Sequence, residues 1–375
     1  MFLMMAEVLR LCAVSENLPE SGFWAFLCEQ QSHVEWRGAV LHDLIQPSFT
    51  FLVGVVLPFS LAGQRAKGGK FGPMLLRALR RALVLVLLGI FLRSQHASQT
   101  NFTFEDTLTQ IGLGYPFAFL LAYAPPRGQW AALGAILVGY WLLFALYPLP
   151  GPAFDYPAVG VPADWPHHQT TGFAAHWAKN SNLAWAFDTW LLNLFPREKV
   201  FLFNGGGYAT LSFIPTLGTM LLGLQAGNLL QKPLSDARKL KWFVGLGIAG
   251  LALGLLLDVT GICPNVKRIW TSSWVLFSGG WCFLLLALFY AVVDRWKIQR
   301  PFFVWNVIGM NSIAAYVLAE TLPGYWANAF RIHFGPRYAE VFGAAYAPFV
   351  AGLLVLAIEW LVLWWMYRRK VFIRV

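Results

Sequence analysis

Residues 241–258 read KWFVGLGIAGLALGLLLD. No charged side chain interrupts the run between Lys241 and Asp258. A run of this length and apolarity predicts a helix that crosses a bilayer, which needs about 20 mostly apolar residues. Similar stretches lie near 1–14, 42–63, 74–92, 107–124, 129–147, 209–230, 272–293, 302–321 and 346–366. They are helix-length runs, without the short alternation of membrane barrel strands. The expected fold is therefore all-α: a polytopic membrane bundle of about ten transmembrane helices. Composition agrees, with 58% hydrophobic and only 12% charged residues in 375. Soluble proteins carry roughly 25% charged residues, so a water-soluble enzyme, a disordered chain and a nucleic-acid binder are all disfavoured.

No internal repeat or low-complexity segment divides the chain, and 1–375 reads as a single membrane domain. Its first candidate, MFLMMAEVLRLCAV, is short for a span and reads as a truncated first helix. A signal peptide fits less well. The start lacks a basic region, Glu7 and Arg10 interrupt the apolar part, and no small-residue cleavage site follows. The net charge of +10 is explained by topology. With the N-terminus inside, the inner segments hold eighteen Lys/Arg and the outer ones nine, as the positive-inside rule requires. Both termini are then cytoplasmic, as in a bacterial inner membrane protein. The segment 148–208 becomes a large outer loop, and 322–345 a second one. Loops of such length are more often functional than not. The cysteines, Cys12, Cys28, Cys263 and Cys282, show no metal-binding spacing. Cys28 and Cys263 fall outside apolar cores, so a disulfide between them and two free thiols are both open.

Chemistry concentrates in 32–60, SHVEWRGAVLHDLIQPSFTFLVGVVLPFS. His33, Glu35, Trp36, His42 and Asp43 sit at the mouth of the second span. Histidine exchanges protons near neutral pH, and a carboxylate entering an apolar helix is costly unless paired or watered. A helix-start carboxylate favoured by the dipole is the plainer reading of Asp43. Ten helical residues separate His33 from Asp43 by about 15 Å, so they pair only if the chain turns at Gly38. In VIGMNSIAAYVLAE, 307–320, Asn311 and Ser312 interrupt an apolar helix, either as interhelical packing glue or as cavity wall. Arg77, Arg80 and Arg81 follow a glycine-containing inner loop at helical spacing. They suit phosphates or merely anionic lipid head groups. GGG at 205–207 reads as a turn, and His167, His168 and His176 match no zinc spacing, so no metal is expected.

HVEWRGAVLHDLIQPSFTFLVG, 33–54, resembles the H-x-x-W-x-G-x-x-x-x-D-L-x-x-P-x-F-x-F-x-x-G signature of the heparan-alpha-glucosaminide N-acetyltransferase-like membrane acyltransferases. RALRRALVLVLLGIFL (77–92), TLTQIGLGY (107–115), WTSSWVLFSGG (270–280) and IGMNSIAAYV (308–317) resemble later blocks in the same order. The resemblance covers most of 32–320. It implies acyl transfer from cytoplasmic acetyl-CoA or another acyl-CoA to a sugar amine or hydroxyl acceptor on the outer side, with no metal. It puts the catalytic histidine on His33 and the cavity wall at Asn311 and Ser312. The family's Leu-Asp-x-x-Arg-Gly opening is absent, and 148–208 differs from the animal enzyme, so heparan is not implied as the acceptor. Chemically, His33 could take the acceptor proton or the acyl group itself, so ternary-complex and acyl-histidine routes are both open. Asp43 joins it as a catalytic candidate, and Asn311 and the Trp36 N–H are candidate oxyanion donors. Trp36 and Ser312 are read as substrate-binding, and Arg77, Arg80 and Arg81 as holding coenzyme A phosphates. Membrane lipids and a second copy of the chain are compatible partners. A transporter or lipid- or glycan-handling channel is the competing reading, since broken helices and intramembrane polar residues occur there too.

Overall fold

The computed structural model describes residues 1–168 and 171–373. In chain order its α-helices are α1 (Phe2–Met5), α2 (Leu11–Asn17), α3 (Gly22–Gln31), α4 (Ile45–Ala66), α5 (Phe71–Arg93), α6 (Thr107–Leu121), α7 (Pro126–Ala145) and α8 (Leu183–Leu191). They continue with α9 (Phe213–Gln231), α10 (Asp236–Val259), α11 (Ser272–Phe289), α12 (Phe303–Met310), α13 (Ser312–Thr321), α14 (Pro323–Phe334) and α15 (Ala347–Arg368). The fold is the expected all-α polytopic membrane bundle.

The expected count of ten spans is corrected. Among the described residues six helical stretches are long and apolar enough to cross a membrane: Leu41–Ala66, Pro126–Ala145, Thr210–Gln231, Asp236–Val259, Ser272–Arg295 and Ala344–Arg368. A bent pair, Arg300–Met310 with Ser312–Thr321, makes a seventh if taken as one span. The candidate at 1–14 is broken into α1, a 3-10 turn at Ala6–Leu9, and α2, with Arg10 in the left-handed region between them. At 74–92, α5 is continuous for 23 residues, but three arginines occupy its first half. At 107–124, α6 has only 15 residues. Arg374, counted among the inner cations, lies outside the described residues.

The chain divides into two compact units. One comprises Glu35–Gly38 and Gln46–Arg295. Its helices cross where glycines remove the side chain. A Cβ on Gly223 of α9 would collide with the Phe51 carbonyl of α4, and one on Gly227 with the Val55 carbonyl. Gly54 of α4 returns the contact against the Met220 carbonyl. The same device joins α10 to α11, where Gly250 faces the Leu276 carbonyl and Gly280 faces Leu251 N. Apolar helices gain no hydrophobic advantage from leaving lipid for one another, so close backbone packing must hold them. Polar side chains add links: Trp270 Nε1 donates to Thr219 Oγ1 at 3.1 Å, and Ser272 Oγ to the Leu137 carbonyl at 2.7 Å. Asp106 caps α6 by accepting from Leu108 N and Thr109 N, filling the orphan donors of a helix start.

In this unit the 148–208 segment enters a shared core through Trp177 and Ala184. Trp36, Tyr140, Phe144, Trp177, Cys263 and Val266 are buried together. Trp36 Nε1 donates to the Trp177 carbonyl at 3.2 Å, and Arg37 clamps Asp258 through Nε at 2.7 Å.

The other unit comprises Met1–Val34, Ala39–Ile45 and Trp296–Val375. Gly352 of α15 abuts the Val8 carbonyl, so the broken N-terminal segment lies against that helix. Neither alternative left open for Cys28 and Cys263, a bridge between them or two free thiols, is found: Cys28 pairs with Cys12, tying α2 to α3, while Cys263 is a buried free thiol. The bent pair breaks by 75° at Asn311, whose amide donates to the Val371 carbonyl at 2.8 Å and accepts from Ile373 N at 2.9 Å. A break inside a membrane helix frees backbone groups that protein must satisfy, and Asn311 fastens a neighbouring segment at that point.

The glycine crossings make a test. Gly223→Ala should cost about 1–3 kcal/mol through overpacking. Gly245→Ala, in α10 with no atom near its Cβ position, should gain up to about 1 kcal/mol from helix propensity. Denaturant unfolding of the detergent-solubilised variants measures both. Equal stabilities would show that the α4–α9 contact yields freely.

Candidate functional site

Asp43 stands on the 3-10 turn Leu41–Leu44 that leads into α4, and its side chain is fully buried. A carboxylate so placed must be met by donors. His33 Nδ1 lies 2.8 Å from its Oδ1, while Oδ2 accepts from Val40 N at 3.2 Å and Val34 N at 3.4 Å. His33 itself keeps 37% of its side chain exposed. The helical spacing that would keep the pair apart does not apply, because α3 stops at Gln31 and the chain runs through Gly38, at φ 115°, before the turn begins. With the carboxylate on Nδ1, the opposite ring nitrogen is set up as the proton-exchanging atom. Position, exposure and a buried orienting acid are the attributes of a general base or nucleophile.

The same place holds His42, noted from the sequence without a role of its own, and Glu7, which was not singled out as a site residue. His42 stacks beside His33, ring centroids 4.5 Å apart, and its Nε2 lies 3.0 Å from Glu7 Oε1. Glu7 looked only like an interruption of an apolar run. Nothing in local spacing connects residues 7 and 42.

The remaining sequence candidates are placed differently. The Trp36 N–H, expected as an oxyanion donor, is committed to the Trp177 carbonyl, and its ring is 3% exposed in the core of the other unit. Asn311, also expected as an oxyanion donor, is fully buried with its amide engaged to the 371–373 segment, the packing role named above. Ser312 opens α13 and is half-buried.

At the turn from α4 to α5, Gly68 adopts φ 74° and Gly69 sits against the Gln64 carbonyl. Arg77 donates to Gln64 Oε1 at 2.8 Å. The guanidinium of Arg81 lies 5.0 Å above the Tyr115 ring, and that of Arg65 lies 4.5 Å above Tyr123. Arg80 is exposed. Arg81 Nε is buried without a hydrogen-bond partner among the described residues, an unusual expense for a charged group. An anion such as a phosphate would complete it.

The 148–208 segment contributes two polar features. Trp165 Nε1 donates to Glu35 Oε2 at 2.6 Å, and the Lys179 ammonium lies 5.1 Å over the same indole. Burial, and then the Arg268 guanidinium, lower the Lys179 pKa. Deeper in, Asp188 lines a crevice with Asn180, Asn182, Trp185 and Asn204. Its Oδ2 accepts from Thr210 N at 2.9 Å, while Oδ1 is buried without a hydrogen bond among the described residues. Burial pushes its pKa up to about 7. Among the described residues no group of His, Cys, Asp and Glu is placed to hold a metal; His176 instead donates from Nδ1 to the Tyr147 carbonyl.

No family model matches the chain. It is similar to the heparan-alpha-glucosaminide N-acetyltransferase of Homo sapiens, 24% identical over 389 residues, and to that of Mus musculus, 23% identical over 392 residues. Each match covers 93% of this chain and 56% of the relative, so the chain spans just over half the length of the curated proteins it matches. The similarity supports a distant relationship to that family.

Asp188 generates a pH test. Its folded pKa is raised, so the folded state holds this proton better than the unfolded chain does. Stability from this group is then full below the unfolded value near 4 and is lost as pH rises toward about 7. Asp188→Asn should remove that decline, leaving the variant more stable than the parent at pH 8. A wild-type slope of melting temperature between pH 5 and 8 in the variant would clear Asp188 of the effect.

Proposed function

We propose that the chain, 1–375, acts as one membrane acyltransferase domain that moves an acetyl or other acyl group from cytoplasmic acyl-CoA to an amine or hydroxyl of a sugar-like acceptor on the outer side. The observation that carries this reading is the exposed His33 held at Nδ1 by the buried Asp43. The distant relatives supply the reaction class. The acceptor nitrogen or oxygen attacks the thioester carbonyl carbon, and His33 takes the proton that the acceptor loses. The new carbon–heteroatom bond forms, the carbon–sulfur bond breaks, and the coenzyme A thiolate leaves and takes up the proton. Asp43 orients the ring and offsets the imidazolium charge that develops. An acyl-histidine route uses the same residues, with His33 as the first nucleophile.

In this reading Arg77, Arg80 and Arg81 hold the donor's phosphates. The Arg81 Nε without a partner and the glycine turn before α5 fit an anion, and arginine binds phosphate oxygens in pairs where lysine binds as a point charge. Trp36 and Asn311 contribute scaffolding, Trp36 to the core that the 148–208 segment enters and Asn311 to the helix break; Ser312 beside it remains a wall residue of the substrate cavity. Both termini are cytoplasmic, and 148–208 faces out.

Acetyl-CoA consumption by the protein in nanodiscs, with glucosamine as acceptor, tests the reaction. His33→Ala should lower turnover by about 10²–10⁴-fold for a lost base, and by more for a lost nucleophile. Arg77→Gln with Arg81→Gln should raise the KM for acetyl-CoA and leave that for the acceptor unchanged. Wild-type turnover in His33→Ala would remove the histidine from the chemistry. The sidedness is checked by labelling single cysteines with an impermeant maleimide in intact cells. A cysteine at the exposed Ala163 should react, and one at the exposed Ser235 should be protected; the opposite pattern inverts the topology.

A further inference from the structure

Two imidazole–carboxylate couples, not one, meet at the start of α4. His33 has Asp43 at 2.8 Å, and His42 has Glu7 at 3.0 Å. The two rings lie with centroids 4.5 Å apart and planes tilted by 53°, which is direct contact. His42 keeps 7% of its side chain exposed, whereas Glu7 keeps 54%. The turn that delivers Glu7, Ala6–Leu9, is held independently of His42. Gln31 Nε2 donates to the Ala6 carbonyl at 2.7 Å, Gln31 Oε1 accepts from Leu11 N at 2.9 Å, and Gly352 abuts the Val8 carbonyl. Glu7 is thus presented to His42 by a rigid element whose other contacts lie elsewhere.

We propose that Glu7 is a positioning residue that acts on His33 through His42. This rests on the reading of His33 as the group that takes the acceptor proton. The Glu7 carboxylate accepts from Nε2–H of His42, which selects that tautomer and fixes the ring plane. His42 so fixed is the wall against which the half-exposed His33 ring rests, so the His33 orientation is determined by Asp43 on one side and by the His42 face on the other. The carboxylates that face the two rings are Asp43 on the same turn and Glu7 from Ala6–Leu9. Removing Glu7 leaves a buried imidazole N–H without its acceptor, and the ring is free to turn in search of another.

The test uses the full chain in nanodiscs with histidine-selective ¹⁵N NMR, the His33 and His42 signals being assigned by their loss in His33→Asn and His42→Asn. In the parent protein His42 should carry its proton on Nε2. Glu7→Ala should abolish that signature and broaden or shift the His33 signal. Glu7→Gln should retain both, because the amide oxygen accepts the same bond. Acetyl-CoA turnover is read alongside: Glu7→Ala should lower kcat about 10–100-fold with KM unchanged, the scale seen when a partner orienting a functional histidine is lost, and Glu7→Gln should recover most of it. Survival of the Nε2–H signature in Glu7→Ala, or His33 resonances indifferent to it, overturns the inference whatever the turnover. A parent that consumes no acetyl-CoA while both signals respond to Glu7→Ala defeats the acyl-transfer reading and leaves the positioning role standing. A parent that turns over and loses activity in His33→Ala, with Glu7→Ala as fast as the parent, defeats the positioning role alone.

Discussion

A carboxylate with no exposure to solvent cannot be left to itself, and Asp43 organises everything around it for that reason. Burying an unpaired charge is prohibitive, whereas burying one that receives several hydrogen bonds is sustainable. Asp43 receives the backbone N–H groups of Val34 and Val40 and faces His33. Those partners come from both sides of the Gly38 reversal, so the loop has to adopt one shape to bring them together. The histidine is consequently held by the needs of the acid beneath it. The pair is as much a condition of folding at this point as a provision for the chemistry proposed for it.

Elsewhere the structure answers the demands of lipid. Side-chain apolarity cannot pull one membrane helix toward another, so contact is achieved by subtracting side chains at Gly54, Gly223 and Gly227, and again at Gly250 and Gly280. The result is backbone against backbone, a surface that does not adjust its shape. Some polar groups enter matched, as with Trp270 on Thr219 and Ser272 on the Leu137 carbonyl. Other buried polar atoms have no hydrogen-bond partner among the described residues, among them both carboxyl oxygens of Glu359 in α15, Arg81 Nε near the α4–α5 turn and Asp188 Oδ1 in the 148–208 segment.

How much of this was legible from the residues depends on whether the determining property is local. Hydropathy is local, and the six long apolar helices lie where 42–63, 129–147, 209–230, 241–258, 272–293 and 346–366 place them. The miscount arose where length and charge pull in opposite directions. Three arginines enter α5, α6 is short, and a left-handed Arg10 breaks the N-terminal run. The pairing of His33 with Asp43 depended on a turn at Gly38 that sequence could permit but not require. Glu7 and His42 could not be linked at all, because their meeting is created by the path of the N-terminal segment. Cys12 with Cys28 was missed for a similar reason, since apolarity assigned residue 12 to a span that does not form. Trp36 and Asn311 were recognised as special residue types, but their partners, Trp177 and the 371–373 segment, lie 141 and about 60 residues away.

That last separation has a consequence in time. Asn311 is the hinge of a 75° break, and both ends of its amide are satisfied by main chain at 371 and 373. A ribosome adding about 5–20 residues per second delivers those partners roughly 3–12 s after the asparagine has been made. During that interval the break lies beside the membrane with its amide unanswered, and a straight, uninterrupted helix competes with the bent one. The native bend is therefore ratified late, after α15 has been synthesised, and the chain carries an unfinished helix through the last stretch of its own synthesis. A protein built this way leaves the insertion machinery with a decision still to be taken.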